Sequence, residues 1–303
     1  MKEAHSELLK AIQSGTFVYT GEIEPVKTTS LEETLKTARI LKGNVIAANV
    51  TDNPTAFAYM NALIPSYIIQ KEVGLEAVYQ ITVRDRNRLA ITADLLAAGA
   101  LGIRNVLTLS GDHTTVGDDP RSKPVYDLDS TALVELVRKM VDEGTDLRGN
   151  KIEHPPRFNI GVAGNPNADP IEPEILKIEK KVELGAEFIQ TQAVYDAELV
   201  KRFVKDVSHL GVPILVGIAP FKSMGMMDWM VKNVPGILVP EEIQNRLRVA
   251  REKGGKEVLL NENIEVFGEL IREIRKTTSV QGIHIMTIGF EWIVPKIIER
   301  AKQ

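Results

Sequence analysis

Residues 75–112 read LEAVYQITVRDRNRLAITADLLAAGALGIRNVLTLSGD. Two runs rich in β-branched residues, 75–83 and 104–110, flank a longer stretch, 86–99, whose charged start and apolar body suit a buried helix. The apolar piece Leu89–Ile103 is interrupted by Thr92 and Asp94 and is shorter than the roughly 18 apolar residues of a membrane span. A strand, a covering helix and a second strand of this kind form one βαβ unit. The same rhythm recurs along the chain. Strands are predicted near 16–23, 44–50, 75–83, 104–110, 157–164, 187–193, 212–218 and 282–288, and helices at 31–42, 86–99, 131–143, 172–184, 196–208, 223–233, 241–253, 262–276 and 291–301.

Eight strands alternating with helices over 303 residues fit an α/β fold, a single-domain (β/α)8 TIM barrel spanning 1–303, with an extra amphipathic helix in MKEAHSELLKAIQSG at the N-terminus. Ser30 with Glu33 reads as a capping box opening the helix after the first strand. Lys253-Gly-Gly-Lys256 should end one helix before the next begins, and 111–129 should be a long loop on the face that carries barrel active sites.

Composition narrows the function. Apolar residues make up 44% and charged residues 26%, too hydrophobic for a disordered chain. With 37 Lys and Arg against 41 Asp and Glu, the net charge of −4 gives no broad basic field, so nucleic acid is not an expected partner. The absence of cysteine removes disulfides, thiolate metal sites and cysteine nucleophiles from this chain. The first residues lack the apolar core of a signal peptide, so the expected location is cytoplasmic, with no membrane span. His5, His113, His154, His209 and His284 show no metal-ligand spacing, and no metal is expected.

The informative residues are polar groups at the C-terminal ends of strands, where burial without a partner costs free energy. Strand one closes with Thr20-Gly-Glu22-Ile-Glu24-Pro25, and an acid at the mouth of an apolar barrel is a candidate general acid, or else a rim salt bridge. Strand four ends in Leu109-Ser110-Gly111-Asp112, where the carboxylate either faces the same mouth or caps the following turn. Strand six ends in Gln190-Thr-Gln192-Ala-Val-Tyr195-Asp196, whose amide suits a ring with paired donors and acceptors, or is an ordinary polar strand end. Asn49-Val-Thr51-Asp52-Asn53-Pro54 either holds a ligand or caps the next helix, with Asp52 or Asn53 as the cap. Lys181, beside Lys180, reads by itself as a solvated surface lysine.

Taken in order, these strand ends resemble the methylenetetrahydrofolate reductase family, flavin-dependent (β/α)8 barrels. The resemblance rests on Gly21-Glu22-Ile-Glu-Pro25-Val-Lys27, Leu109-Ser-Gly-Asp112, Val162-Ala-Gly-Asn-Pro166, Glu174 through Lys181 to Gly185-Ala186, Ile189-Gln-Thr-Gln192 and Gly217-Ile-Ala-Pro220. It implies reduction of 5,10-methylenetetrahydrofolate to 5-methyltetrahydrofolate in one-carbon metabolism, with methionine biosynthesis or the Wood–Ljungdahl pathway as the setting. Hydride would pass from flavin N5 to the 5-iminium carbon.

By resemblance, Glu22 is the acid that protonates folate N10, and Asp112 is the second catalytic carboxylate, near the flavin's N1 edge. Gln192 binds the pterin, with Tyr195 and Met224 on the substrate side. Asn49, Thr51, Gln80, Thr82, Ser110, Gly111, Asp112, Asn165, Glu174 and Lys181 line the flavin site, FAD by resemblance and FMN as the other option. Ser110 departs from the family's arginine, Gln80 from histidine, Asn165 from tyrosine, and Met224 from a stacking aromatic residue. Those departures are similar to the reductases of acetogenic and related anaerobes, which implies an oligomer in which a separate cysteine-rich or iron–sulfur subunit delivers electrons. Two rivals remain at this level: a pterin-binding methyltransferase barrel without flavin, and a non-catalytic scaffold subunit.

Overall fold

In the computed structural model, which describes residues 2–234 and 236–303, eight parallel strands pair in chain order and close into a barrel, the last strand pairing with the first. They are β1 (Val18–Ile23), β2 (Ala47–Val50), β3 (Glu76–Thr82), β4 (Asn105–Leu109), β5 (Asn159–Gly164), β6 (Phe188–Ala193), β7 (Ile214–Ile218) and β8 (Gly282–Ile285). All eight expected strands are present, each one to three residues shorter at its ends.

The helices are α1 (Glu7–Gln13), α2 (Glu32–Leu41), α3 (Leu63–Ile68), α4 (Arg88–Ala100), α5 (Ser130–Asp142), α6 (Glu172–Glu183), α7 (Ala197–Val207), α8 (Met224–Asn233), α9 (Glu241–Thr277) and α10 (Val294–Lys302). The sequence gives no sign of α3, whose Leu63-Ile-Pro-Ser-Tyr-Ile68 starts without a side-chain cap and carries a proline in its first turns. Gly254 and Gly255 break the helical backbone of α9, as Lys253-Gly-Gly-Lys256 suggested. The capping box does not form. Leu31 holds the N-cap of α2, the Ser30 hydroxyl accepts from the Glu32 amide, and Glu33 pairs with Lys36 one turn on.

Side-chain alternation along the strands divides the barrel into an outer core against the helices and an interior built in tiers. The lowest tier is apolar. Val18, Ala47, Val78, Leu107, Phe188 and Leu215 cluster there with Leu8, Leu9 and Ile12 of α1, which plugs the N-terminal mouth. Three buried aliphatic side chains contribute roughly 1.5–3 kcal/mol each to holding that plug.

The helix start is also tied to the strands. Asn159 Oδ1 accepts from the His5 and Ser6 amides, Glu76 accepts from the Glu7 and Leu8 amides, and Ser6 Oγ caps Leu9. Backbone donors that a helix N-terminus leaves free are thus satisfied by the barrel floor. The N-terminal mouth of the barrel is thus closed by α1. Among the described residues no helix is long and apolar enough to cross a membrane.

Candidate active site

Above the apolar floor the interior turns polar. Asn49 Nδ2 donates to Gln190 Oε1 at 3.1 Å, joining β2 to β6 across the lumen. On the β1–β8 seam the Thr20 hydroxyl and His284 Nδ1 lie 2.9 Å apart, both groups fully buried. Glu22, two residues along β1 on the same side, brings its carboxylate to 3.5 Å from His284 Nε2. That separation is electrostatic contact rather than a formed hydrogen bond, and Nε2 has no hydrogen-bond partner of its own. Glu22 is partly open to the mouth, its side chain 13% exposed.

Glu24 follows on the same face of the strand end. Burial pushes its carboxyl up from 4.5 to about 7, the neighbouring Glu22 and Glu291 charges push the same way, and a hydrogen bond with Tyr59 opposes them.

On β2 and just beyond its end, Asn49 Oδ1 and the Thr51 hydroxyl are buried with no partner. Unpaired buried polar atoms call for a partner, which a ligand or a water can supply. Gln80 sits beside them on β3, nearly buried. Thr82 is already committed, its amide and hydroxyl both donating to Asp52 at 2.8 and 2.9 Å. Asp52 also pairs with Arg86, and burial raises its carboxyl in spite of these partners. Capping is therefore not the role of Asp52. Nor does Asn53 cap with its side chain, which instead accepts from the Tyr59 amide and donates to Asp85.

Strand β6 carries a register shift between Gln190 and Ala193. The bulge turns Gln192 outward as the one exposed residue in a buried strand, its Oε1 on the Ala193 amide at 3.0 Å. The Thr191 hydroxyl patches the gap by accepting from the Gly217 amide at 2.9 Å. A Cβ on Gly217 would meet the Thr191 carbonyl at 2.3 Å, so the bulge and this glycine require each other.

Ser110, Gly111 and Asp112 follow β4 at the rim. Asp112 is exposed, and its Oδ2 accepts from the Thr55 amide at 3.1 Å. Asn165 and Glu174 meet after β5, where the Glu174 carboxylate accepts from the Asn165 amide at 2.9 Å. Lys181 is buried, not a surface lysine. Its ammonium donates to the Ala163 carbonyl at 3.3 Å, and burial lowers its pKa against the attraction of Glu174. Met224 opens α8 half-buried against the core.

Tyr195 does not reach the mouth as expected. Its ring stacks on Phe221 at 5.2 Å and meets Phe267 edge-on, and its hydroxyl is spent on the Ala219 carbonyl at 3.0 Å. Three residues of the site escaped the sequence reading. His284 was set aside for lacking metal-ligand spacing, although a histidine between two isoleucines of a strand is itself out of pattern. Gln190 and Glu24 stood in quoted segments without a role.

The comparisons with known proteins agree in direction. A family model described as Methylenetetrahydrofolate reductase matches residues 7–302. Methylenetetrahydrofolate reductase 2 of Schizosaccharomyces pombe is 27% identical over 316 aligned positions, covering 97% of this chain and 47% of that protein. Probable methylenetetrahydrofolate reductase (NADPH) of Caenorhabditis elegans is 24% identical, covering 75% of this chain and 32% of that one. The chain thus spans less than half the length of these curated relatives. Among solved structures, an uncharacterized Clostridium thermocellum protein that binds two copies of 5-methyl-5,6,7,8-tetrahydrofolic acid superposes with a TM-score of 0.65 at 16% identity, covering 98% of this chain and all of that one. An oxaloacetate acetylhydrolase structure reaches 0.51 at 11% identity, over 97% of this chain and 84% of its own. At such identities these two share the barrel fold.

Proposed function

The chain belongs to the methylenetetrahydrofolate reductase family, and from that premise we propose that this barrel reduces 5,10-methylenetetrahydrofolate to 5-methyltetrahydrofolate with the help of a bound flavin. The observation that carries the reading is the carboxylate of Glu22 at the mouth, backed from below by His284 and Thr20. The folate-bound structural neighbour supports the substrate class.

Glu22 delivers a proton to N10 of the folate, which opens the five-membered ring to the 5-iminium cation. Asp112, the other carboxylate at the rim, stabilises that cation by its charge. Gln192, turned outward by the β6 bulge, offers an amide that pairs with the pterin's alternating donors and acceptors. The buried tier of Asn49, Thr51 and Gln80 would hold the flavin ring, for which the unpaired Asn49 and Thr51 oxygens are suited. Lys181, with Glu174 and Asn165 fixing the loop beside it, would hold the flavin's phosphate side. When bound, the flavin supplies the hydride that completes the methyl group.

FAD is the favoured form by family, with FMN as the other option. We further propose that the protein is cytoplasmic, works as an oligomer, and receives electrons from a separate iron–sulfur subunit, because Ser110 and Met224 depart from the arginine and the stacking aromatic residue of the family pattern. Reconstitution with flavin, followed by turnover of methylenetetrahydrofolate with reduced viologen, tests the reading. A protein that takes up no flavin, or takes it up and turns nothing over, contradicts it.

A further inference from the structure

The loops that follow β2 and β4 are held together by one buried cation. Arg84, at the end of β3, has a side chain only 2% exposed. Its Nε and Nη2 donate to the two Asp85 oxygens at 2.8 and 2.7 Å, which already satisfies its charge. The remaining donors go elsewhere. Nη1 donates to the Asp112 carbonyl at 3.1 Å, and Nη2 also donates to the Asn53 carbonyl at 3.0 Å. Gly111 lies directly on this guanidinium at φ +81, where a Cβ would come within 3.2 Å of Nη1.

The segment so held is strained. Asn53, Thr55 and Ala56 have φ of +47, +52 and +60. A β-branched threonine is disfavoured in that region and persists only where its surroundings over-determine it. Those surroundings are identifiable. Asp112 Oδ2 takes the Thr55 amide, Asp118 takes the Ala58 amide, and the Ala56 carbonyl lies where a Cβ on Gly117 would be 2.0 Å away. Asp112 therefore receives Arg84 at its backbone and the strained turn at its side chain.

We propose that Arg84 is a positioning residue for Asp112, fixing the carboxylate toward the bound pterin by clamping the Asp112 and Asn53 carbonyls together. The segment Leu109-Ser-Gly-Asp112 carries no cation of its own, so β3 provides the anchor. This inference rests on the reading of Asp112 as a substrate-facing group.

The test is a double-mutant cycle on 5-methyltetrahydrofolate affinity and on the flavin's midpoint potential, measured by fluorescence titration and dye equilibration, with melting temperature as the folding control. Arg84→Met is expected to weaken folate binding roughly tenfold, the scale of one lost charge-assisted bond, and Arg84→Lys to fall between it and wild type. In the Asp112→Asn background Arg84→Met should add less than a further twofold. Should Arg84→Met not fold, Arg84→Lys is read through the same cycle. Additive effects of the two substitutions overturn the proposal, as does a lower melting temperature with affinity and potential unchanged. If Asp112→Asn alone alters both readouts and the Arg84 variants alter neither, the clamp is wrong and the site reading stands. If Asp112→Asn alters nothing, the site reading fails and takes the clamp with it.

Discussion

Glu22 and His284 meet across the seam that closes the barrel, carboxylate oxygen to imidazole Nε2 at 3.5 Å, with the other ring nitrogen 2.9 Å from the Thr20 hydroxyl. The three side chains come from adjacent positions of β1 and β8, paired as Thr20 with His284. The imidazole is fully buried and its Nε2 is unpaired, with the Glu22 carboxylate beside it. Apo-state contacts of this kind often tighten when substrate binds.

Glu22→Gln keeps the shape of the acid and removes its proton. Flavin content should stay near normal, while flavin reduction by 5-methyltetrahydrofolate falls at least about 100-fold. Single-turnover absorbance measures both, and activity within a few-fold of wild type would remove Glu22 from the mechanism.

His284→Asn should keep the flavin and lose less activity than Glu22→Gln, and it should shift the pH profile of the folate half-reaction. A filler histidine would lower the melting temperature and leave that profile in place. The comparison of pH profiles decides between the two.

Glu24 links stability to pH. Its carboxyl titrates at about 7 in the folded chain against 4.5 ordinarily, so the folded state holds a proton that the unfolded state has lost between those values. Stability should therefore fall as pH rises from about 4.5 to about 7, and Glu24→Gln should flatten that slope. Urea midpoints across the range test it, and an unchanged slope in the variant contradicts the assignment.

Much of this was legible in advance. Apolar runs rich in β-branched residues announced all eight strands, and polar residues breaking the pattern at their ends marked Glu22, Asn49 and Gln192. The β6 bulge was not legible, because it depends on Gly217 of the next strand tolerating the Thr191 carbonyl, a fit between distant residues. Tyr195 misled for the converse reason. It stands in a strand end quoted for its polar Gln192 and Asp196, but its neighbours in space are Phe221 and Phe267, and a phenol whose hydroxyl finds a carbonyl is stable in such a core. Lys181 by itself reads as a surface residue beside Lys180; the family resemblance already drew it into the site, and the packing of α6 against β5 accounts for its burial.

Lys181→Met removes a buried ammonium whose one hydrogen-bond partner is a backbone carbonyl. The melting temperature of the flavin-free protein should hold or rise. Flavin affinity should fall, as read by the fraction retained after gel filtration. Full retention would make Lys181 a structural residue.

Under the proposed delivery of electrons by a separate subunit, a nicotinamide should not reduce the flavin directly. Anaerobic stopped-flow mixing of the flavin-loaded protein with NADH or NADPH should leave the flavin oxidised, while reduced viologen supports turnover. Rapid bleaching by either nucleotide, at the rate of steady-state folate reduction, defeats the partner proposal.

The central claim is that this barrel passes reducing equivalents between flavin and folate through Glu22. Anaerobic addition of 5-methyltetrahydrofolate to the oxidised, flavin-loaded protein tests it without any knowledge of the physiological donor. The account predicts loss of the flavin's visible absorbance in wild type and its persistence in Glu22→Gln. Persistence in both proteins, with folate bound, would contradict it.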